Sequence, residues 1–327
     1  MSAFADPEII KMASKEFIPV SADDWYQRRR QDAEGKFFVK VANQGPRKGE
    51  GGNTRQGIYC LTADGELLNF KNAGNSAEAT REQMKQALNR FKALPADRRS
   101  PGAVEVGDPG PLDRDYTRTP PSGGLIVLTH GRILEKKGIE LEKGTCDFTG
   151  GDKASRDFLW LRADEIKAMR PAKQEVGFSY PMPRIVATRI ARFHLIDNTR
   201  GEPDFWKADE IRKNDMTLTV LDANPNRVEL SLTGNVLISD RADLSQSQRG
   251  YECTLVGRLT YDTKANTFTR FDVAALGDHW GASTFTKKGV RPGRTLLGMA
   301  FSLPAKERAS DRVAPQAARE LENYWGR

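Results

Sequence analysis

Between Met216 and Leu303 the apolar residues recur at every second position. Val228, Leu230 and Leu232 alternate with Glu229, Ser231 and Thr233, and Tyr251, Cys253, Leu255 and Leu259 share one face of the next run. A period of two marks a strand with one buried and one wet face. The runs TLTVLD, RVELSLTGNVLIS, YECTLVGRLTYD, TFTRFDVAAL and TLLGMAFSL are separated by turn signals such as DANPN and DTKAN, a pattern that predicts antiparallel hairpins. Strands of a dozen residues twist and curl, so a curved antiparallel sheet is expected, as a sandwich or a partly closed barrel. LIVLT, residues 125 to 129, and the stretch from Arg184 to Asp197 are expected to add strands. DFLWLRADEIKAMRP between them reads as a helix ended by Pro171.

The first 94 residues follow a different rule, alternating helix and strand signals. Asp6 caps a helix with Pro7 in its first turn, and Phe17, Ile18 and Val20 read as a short strand. Glu34 to Gln44 is a second helix with Phe37, Phe38 and Val41 on one face, and GPRKGEGGN is a loop. IYCLT and ELLNF pair through a turn at Asp64 and Gly65, and Ser76 caps a last helix with Met84, Ala87, Leu88 and Phe91 as its stripe. The resulting organisation is an α/β domain over 1–94, a linker over 95–124, a β-rich domain over 125–304 and a helical tail over 305–327. The linker holds six prolines and five glycines without sustained periodicity, which makes it a spacer or a strap over one of the domains.

The order DPEIIKMASKEFIPVSADD, IYCLTADGELLNF, SAEATREQMKQALNRF resembles the thioredoxin-like fold entered after its first strand. Active members of that family carry a CxxC pair at the start of the first helix, where the helix end lowers a thiol's pKa. Met1, Ser2, Ala3 and Phe4 stand there, and Thr54 to Gly57 occupy the approach where the family places a cis-proline. The resemblance therefore implies a redox-inactive thioredoxin-like domain, incomplete at its N-terminus, in a non-catalytic binding or scaffold protein. The alternative is a thiol or selenol oxidoreductase whose reactive residue lies upstream of Met1.

Chemistry-bearing residues are few. The cysteines Cys60, Cys146 and Cys253 have no metal or disulfide spacing; Cys60 and Cys253 fall on strand faces as small apolar residues, while Cys146, in KGTCDFTGG, is the candidate exposed thiol. Asp278, His279 and Trp280, in ALGDHWG, sit between glycines at a strand end and are the candidate ligand-proximal residues. His130, His194 and His279 share no metal-binding spacing, His194 and Asp197 fall on opposite faces of the expected strand, and no nucleotide or nucleophile-elbow motif is present. No cofactor and no metal are implied. Fifty-one basic and 44 acidic residues are well mixed, so the formal charge of +7 describes a solvated surface, and nucleic-acid binding is not expected. Arg28, Arg29 and Arg30 beside Trp25 and Tyr26 are the nearest approach to a nucleic-acid surface. No apolar run spans a bilayer and no export signal is visible, which points to the cytoplasm unless the N-terminus is longer. The expected partner is a protein or small ligand at the β-rich domain.

Overall fold

The computed structural model describes residues 3–49, 53–72, 74, 76–105, 107–134, 154–287, 290, 293–305 and 308–326. The chain divides into two compact units, Met1–Arg118 and Thr119–Arg327.

In the first unit, helices α1 (Pro7–Glu16), α2 (Asp24–Gln27) and α3 (Ala33–Ala42) precede the hairpin β1 (Ile58–Leu61) and β2 (Leu67–Lys71), followed by α4 (Ala77–Ala93) and α5 (Ala96–Arg99). The Asp6 carboxylate accepts the N–H groups of Glu8 and Ile9 at 3.0 and 3.1 Å, and the Ser76 hydroxyl accepts Ala79 N–H at 3.2 Å, so both caps are made. Ile9 of α1 packs with Met84 of α4, and Cys60 and Leu68 of the hairpin pack with Ala87. The expected strand at Phe17–Val20 does not form. Among the described residues it has no ladder partner, and Ile18 and Val20 are 92% and 84% exposed. An isolated extended segment leaves its backbone bonds to water, and alternation alone does not supply a neighbour.

The connector is no free spacer along its first part. Asp113 accepts the N–H of Gln31 at 2.8 Å and gives its own N–H to Asp32 at 2.9 Å, while the Arg118 guanidinium lies 5.4 Å from the Tyr26 ring. The chain is thus strapped over α2 and α3, and the first unit closes at Arg118.

The second unit is built on β3 (Leu125–Leu134), β4 (Ser155–Leu161), β5 (Ser179–Pro181), β6 (Ile211–Asn224), β7 (Arg227–Ser239), β8 (Gly250–Asp262), β9 (Thr267–Trp280) and β10 (Arg294–Ser302). Among the described residues these form one antiparallel sheet in the order β4-β3-β10-β9-β8-β7-β6-β5. Two segments depart from expectation. Phe158–Leu161, read as the start of a helix, is the edge strand β4, and only Ala163–Ala168 is helical (α6). Arg184–Asp197, read as a strand, is helix α7 (Arg184–Arg189) running into a π-helical turn at Ile190–His194. β-branched Ile185, Val186, Thr188 and Ile190 mimic a strand, yet Val186, Ile190 and Phe193 recur at helical spacing and are all buried.

The π turn touches both β4 and β6. These strands are six places apart, about 29 Å in a flat sheet at about 4.8 Å per strand. A five-residue turn reaches both because the sheet curls, helped by bulges in β6 and β9. α6, α7 and the turn occupy the opening. The enclosed face is one continuous apolar cluster that includes Leu230, Leu255 and Leu259, so the concave side is filled by the protein's own side chains rather than by a ligand. The C-terminal segment, a 3-10 turn at Gln316–Glu320 and helix α8 (Leu321–Trp325), packs Ala317 and Tyr324 against Phe158, Trp160 and Phe193 on the other face of β4.

Candidate functional site

Asp278, His279 and Trp280 are the last three residues of β9, paired with Glu252, Tyr251 and Gly250 of β8. The flanking glycines admit backbone, not a ligand: a Cβ at Gly281, whose φ is +76°, would collide with the Gln248 carbonyl. Trp280 lies over Gly250, where no side chain would fit, donates its indole N–H to the Ser247 hydroxyl at 2.9 Å and is covered by the Arg294 guanidinium at 4.2 Å. His279 is 3% exposed and sits beside Asp197. Burial alone would raise the Asp197 carboxyl, but His279, Arg200 and Thr199 outweigh it and hold it below the usual range. Asp197 accepts the Thr199 hydroxyl and the Arg200 Nε at 2.6 Å each, and Arg200 reaches on to the Gly281 carbonyl at 2.9 Å. These residues lock the loop after the π turn onto the end of β9. Cys146 lies outside the described residues.

A second buried cluster escaped the sequence reading because its members are far apart in the chain. His194 places Nε2 3.3 Å from the Tyr324 hydroxyl and Nδ1 3.7 Å from the Asp157 carboxylate. The Tyr324 oxygen also accepts Trp160 N–H at 3.0 Å, whereas His194 Nδ1 is buried with no hydrogen-bond partner among the described residues, Asp157 lying beyond hydrogen-bond reach. Burial and the nearby Arg189 push the His194 imidazole down to about 3. Burial pushes the Asp157 carboxyl up to about 6, against the N–H groups of Phe158 and Gln316 that hold it. Arg189 and Glu165 form a buried two-pronged ion pair, and Arg189 also donates to the carbonyls of Trp160 at 3.2 Å and Tyr324 at 2.9 Å. Asp157, His194 and Tyr324 are neighbours, but the imidazole is hydrogen-bonded on the Tyr324 side alone, so they do not form a continuous proton relay, and the C-terminal segment packs over them.

The open concavity lies between α7 and the first half of β6. It is a cleft of about 640 Å³, with Met182, Ala187, Ile211 and Met216 among its walls and Arg184, Arg212, Lys213, Asn214 and Thr217 supplying polar groups. Arg184 is exposed and has no charged or hydrogen-bonding partner among the described residues. Lys213 faces Asp215 at 3.5 Å with both side chains more than half exposed, a contact of little strength. The side-chain oxygen of Asn214 is shielded from solvent without a hydrogen-bond partner among the described residues, an exception to the usual pairing of buried polar atoms. A second cavity of about 350 Å³ shares Arg184 and Thr188 with the first and continues past Arg192 to Asn323. The cleft therefore offers a partly apolar wall and a cationic rim, a combination suited to an anionic ligand with an apolar part. Sequence signals for it were weak, since its walls are drawn from residues 181–188 and 208–217 and meet only through the sheet.

In the first unit, the arginine cluster of the sequence is engaged internally. Arg28 pairs with Asp24 at 2.8 Å, Arg30 with Asp32 and Glu34, and Arg29 stacks on Trp25 at 4.3 Å. Among the described residues no three His, Cys, Asp or Glu side chains could hold a metal ion, and no helix is long and apolar enough to cross a membrane. Comparison of the chain with protein-family models, curated proteins and solved structures found no match.

Proposed function

We propose that the protein is a non-catalytic binding protein whose ligand site is the cleft between α7 and β6. The observation that carries this reading is the cleft itself: about 640 Å³ of open space with Arg184, Arg212 and Lys213 around an apolar wall. Overall basic charge draws anions toward such a site, and the apolar wall retains those with a hydrophobic part. The buried cluster of Asp157, His194 and Tyr324 serves structure in this reading, because His194 and Tyr324 are each only 1% exposed.

The first unit is a redox-inactive scaffold of thioredoxin-like type. The order of α1, hairpin and α4 supports that reading, as does Cys60, whose thiol is buried under α4 and pushed up to about 11. A thiol so reluctant to ionise is a poor nucleophile at neutral pH.

Titration with 1-anilinonaphthalene-8-sulfonate, an apolar sulfonate, tests the cleft. Its fluorescence should rise saturably with the wild-type protein and fall sharply with the double substitution Arg184→Glu and Lys213→Glu. Equal binding by the two proteins would remove the reading. An insulin-reduction assay tests the scaffold role, and turnover above the uncatalysed rate would overturn it.

A further inference from the structure

We infer that the cleft receives an extended acidic segment of a partner protein, which adds to the sheet as a strand alongside the N-terminal half of β6. The inference rests on the reading of the cleft as the binding site and specifies its occupant.

Strand β5 pairs with β6 at Thr217–Thr219, with flanking main-chain bonds at Met216 and Val220, and the chain then turns away into α7. Ile211–Asp215 consequently have β7 on one side and, among the described residues, no strand on the other. Five residues of open edge extend about 17 Å, the length of an ordinary strand. The direction of the main chain follows from its neighbours. Met216 accepts Met182 N–H at 2.9 Å, and Val220 both accepts Gly177 N–H and donates to Phe178 at 2.9 Å. Every second residue turns its N–H and C=O toward β5. Asn214 is next in that series, lies beyond the end of β5 and lines the cleft, so its main chain turns into it.

Charge decides the occupant. Arg184, Arg212 and Lys213 line this edge, with Asp215 the one acid among the cleft's residues. A lysine and a bulge, here between Ile211 and Lys213, are the devices that keep sheet edges from pairing indiscriminately. A second copy of this chain would set the same cations against one another across the new ladder. A strand with glutamates or aspartates at alternate positions turns that repulsion into attraction, and its intervening apolar side chains meet Met182 and Ile211.

The test uses the full chain and a fluorescein-labelled peptide of alternating glutamate and valine, with a lysine–valine peptide and a glutamate–valine peptide N-methylated at alternate residues as controls. The acidic peptide should bind, more tightly at low salt, and Arg184→Glu or Lys213→Glu should each weaken it by about tenfold. Hydrogen exchange at the Asn214 amide should slow when it is bound. The inference is overturned if the lysine–valine or N-methylated peptide binds equally well, or if Asn214 gains no protection. If the sulfonate dye titrates the cleft while the acidic peptide does not bind, strand addition alone fails. If neither binds, the cleft is not a site and both readings fall.

Discussion

The Tyr324 hydroxyl accepts the backbone N–H of Trp160 at 3.0 Å. Trp160 lies on β4, the edge strand of the sheet, and its carbonyl is taken by Arg189 at 3.2 Å. Side chains thus satisfy the main chain of an edge that would otherwise invite another strand. Tyr324→Phe keeps the ring packed against Phe193 but removes the acceptor for Trp160 and the hydrogen-bond partner of His194 Nε2. A buried donor left unpaired costs about 1–3 kcal/mol. The substitution should lower the urea midpoint of the second unit accordingly, and an unchanged midpoint would show that the hydroxyl does not hold the edge.

Glu165 gives a larger effect. It is buried, holds Arg189 through two hydrogen bonds and accepts Arg162 N–H at 2.9 Å at the start of α6. Glu165→Ala leaves a buried guanidinium without its counterion, a loss of about 3–5 kcal/mol. Replacing both partners, as Glu165→Leu with Arg189→Met, should recover much of that stability because neither charge is then stranded. Equal losses in the single and double variants, by chemical denaturation, would contradict this account.

Asp157 and His194 bear opposite dependences on pH. The carboxyl is raised to about 6 in the fold, so it favours folding while protonated, fully below its unfolded value of about 3.9, and that contribution is lost as pH rises through 6. The imidazole is depressed to about 3, so its contribution is complete above its unfolded value of about 6.5 and is lost as pH falls toward 3. Between about pH 4 and 6 the two slopes cancel. Asp157→Asn should therefore make stability rise with pH in that window by about 1.4 kcal/mol per unit relative to wild type, and His194→Gln should make it fall by a similar amount. Parallel stability profiles for all three proteins would exclude the assignment.

Legibility in the sequence followed the range of the interactions. β6 to β10 were read directly, because one buried and one exposed face leave a period of two in the sequence itself, as at Val228–Thr233. β4 was misread since Asp157–Leu161 is buried on both faces, between the central cluster and the C-terminal segment, and a solid apolar run has no period. α7 was misread for another reason: it is half exposed, and its β-branched Ile185, Val186 and Thr188 favour a strand locally. The histidine partners, Asp157 for His194 and Asp197 for His279, are 37 and 82 residues away by subtraction, beyond any spacing rule. The cleft depends on where β5 stops, and Pro181 at its end, followed by Pro183 ahead of α7, was the local sign of that stop.

The two described cysteines give a chemical measure of the fold. Cys60 is buried between the hairpin and α4, and Cys253 lies within the sheet's enclosed cluster beside Tyr251. Burial pushes their thiols up to about 11 and about 12. At pH 8 the thiolate fraction is then on the order of one part in a thousand or less, and the thiolate is the species that reacts. Iodoacetamide at pH 8, read by peptide mass spectrometry, should leave both residues unmodified in the native protein and label both in 6 M guanidinium. Rapid labelling of Cys60 in the native state would mean that the hairpin opens away from α4 or that the thiol is activated, and would reopen the case for thiol chemistry in the first unit.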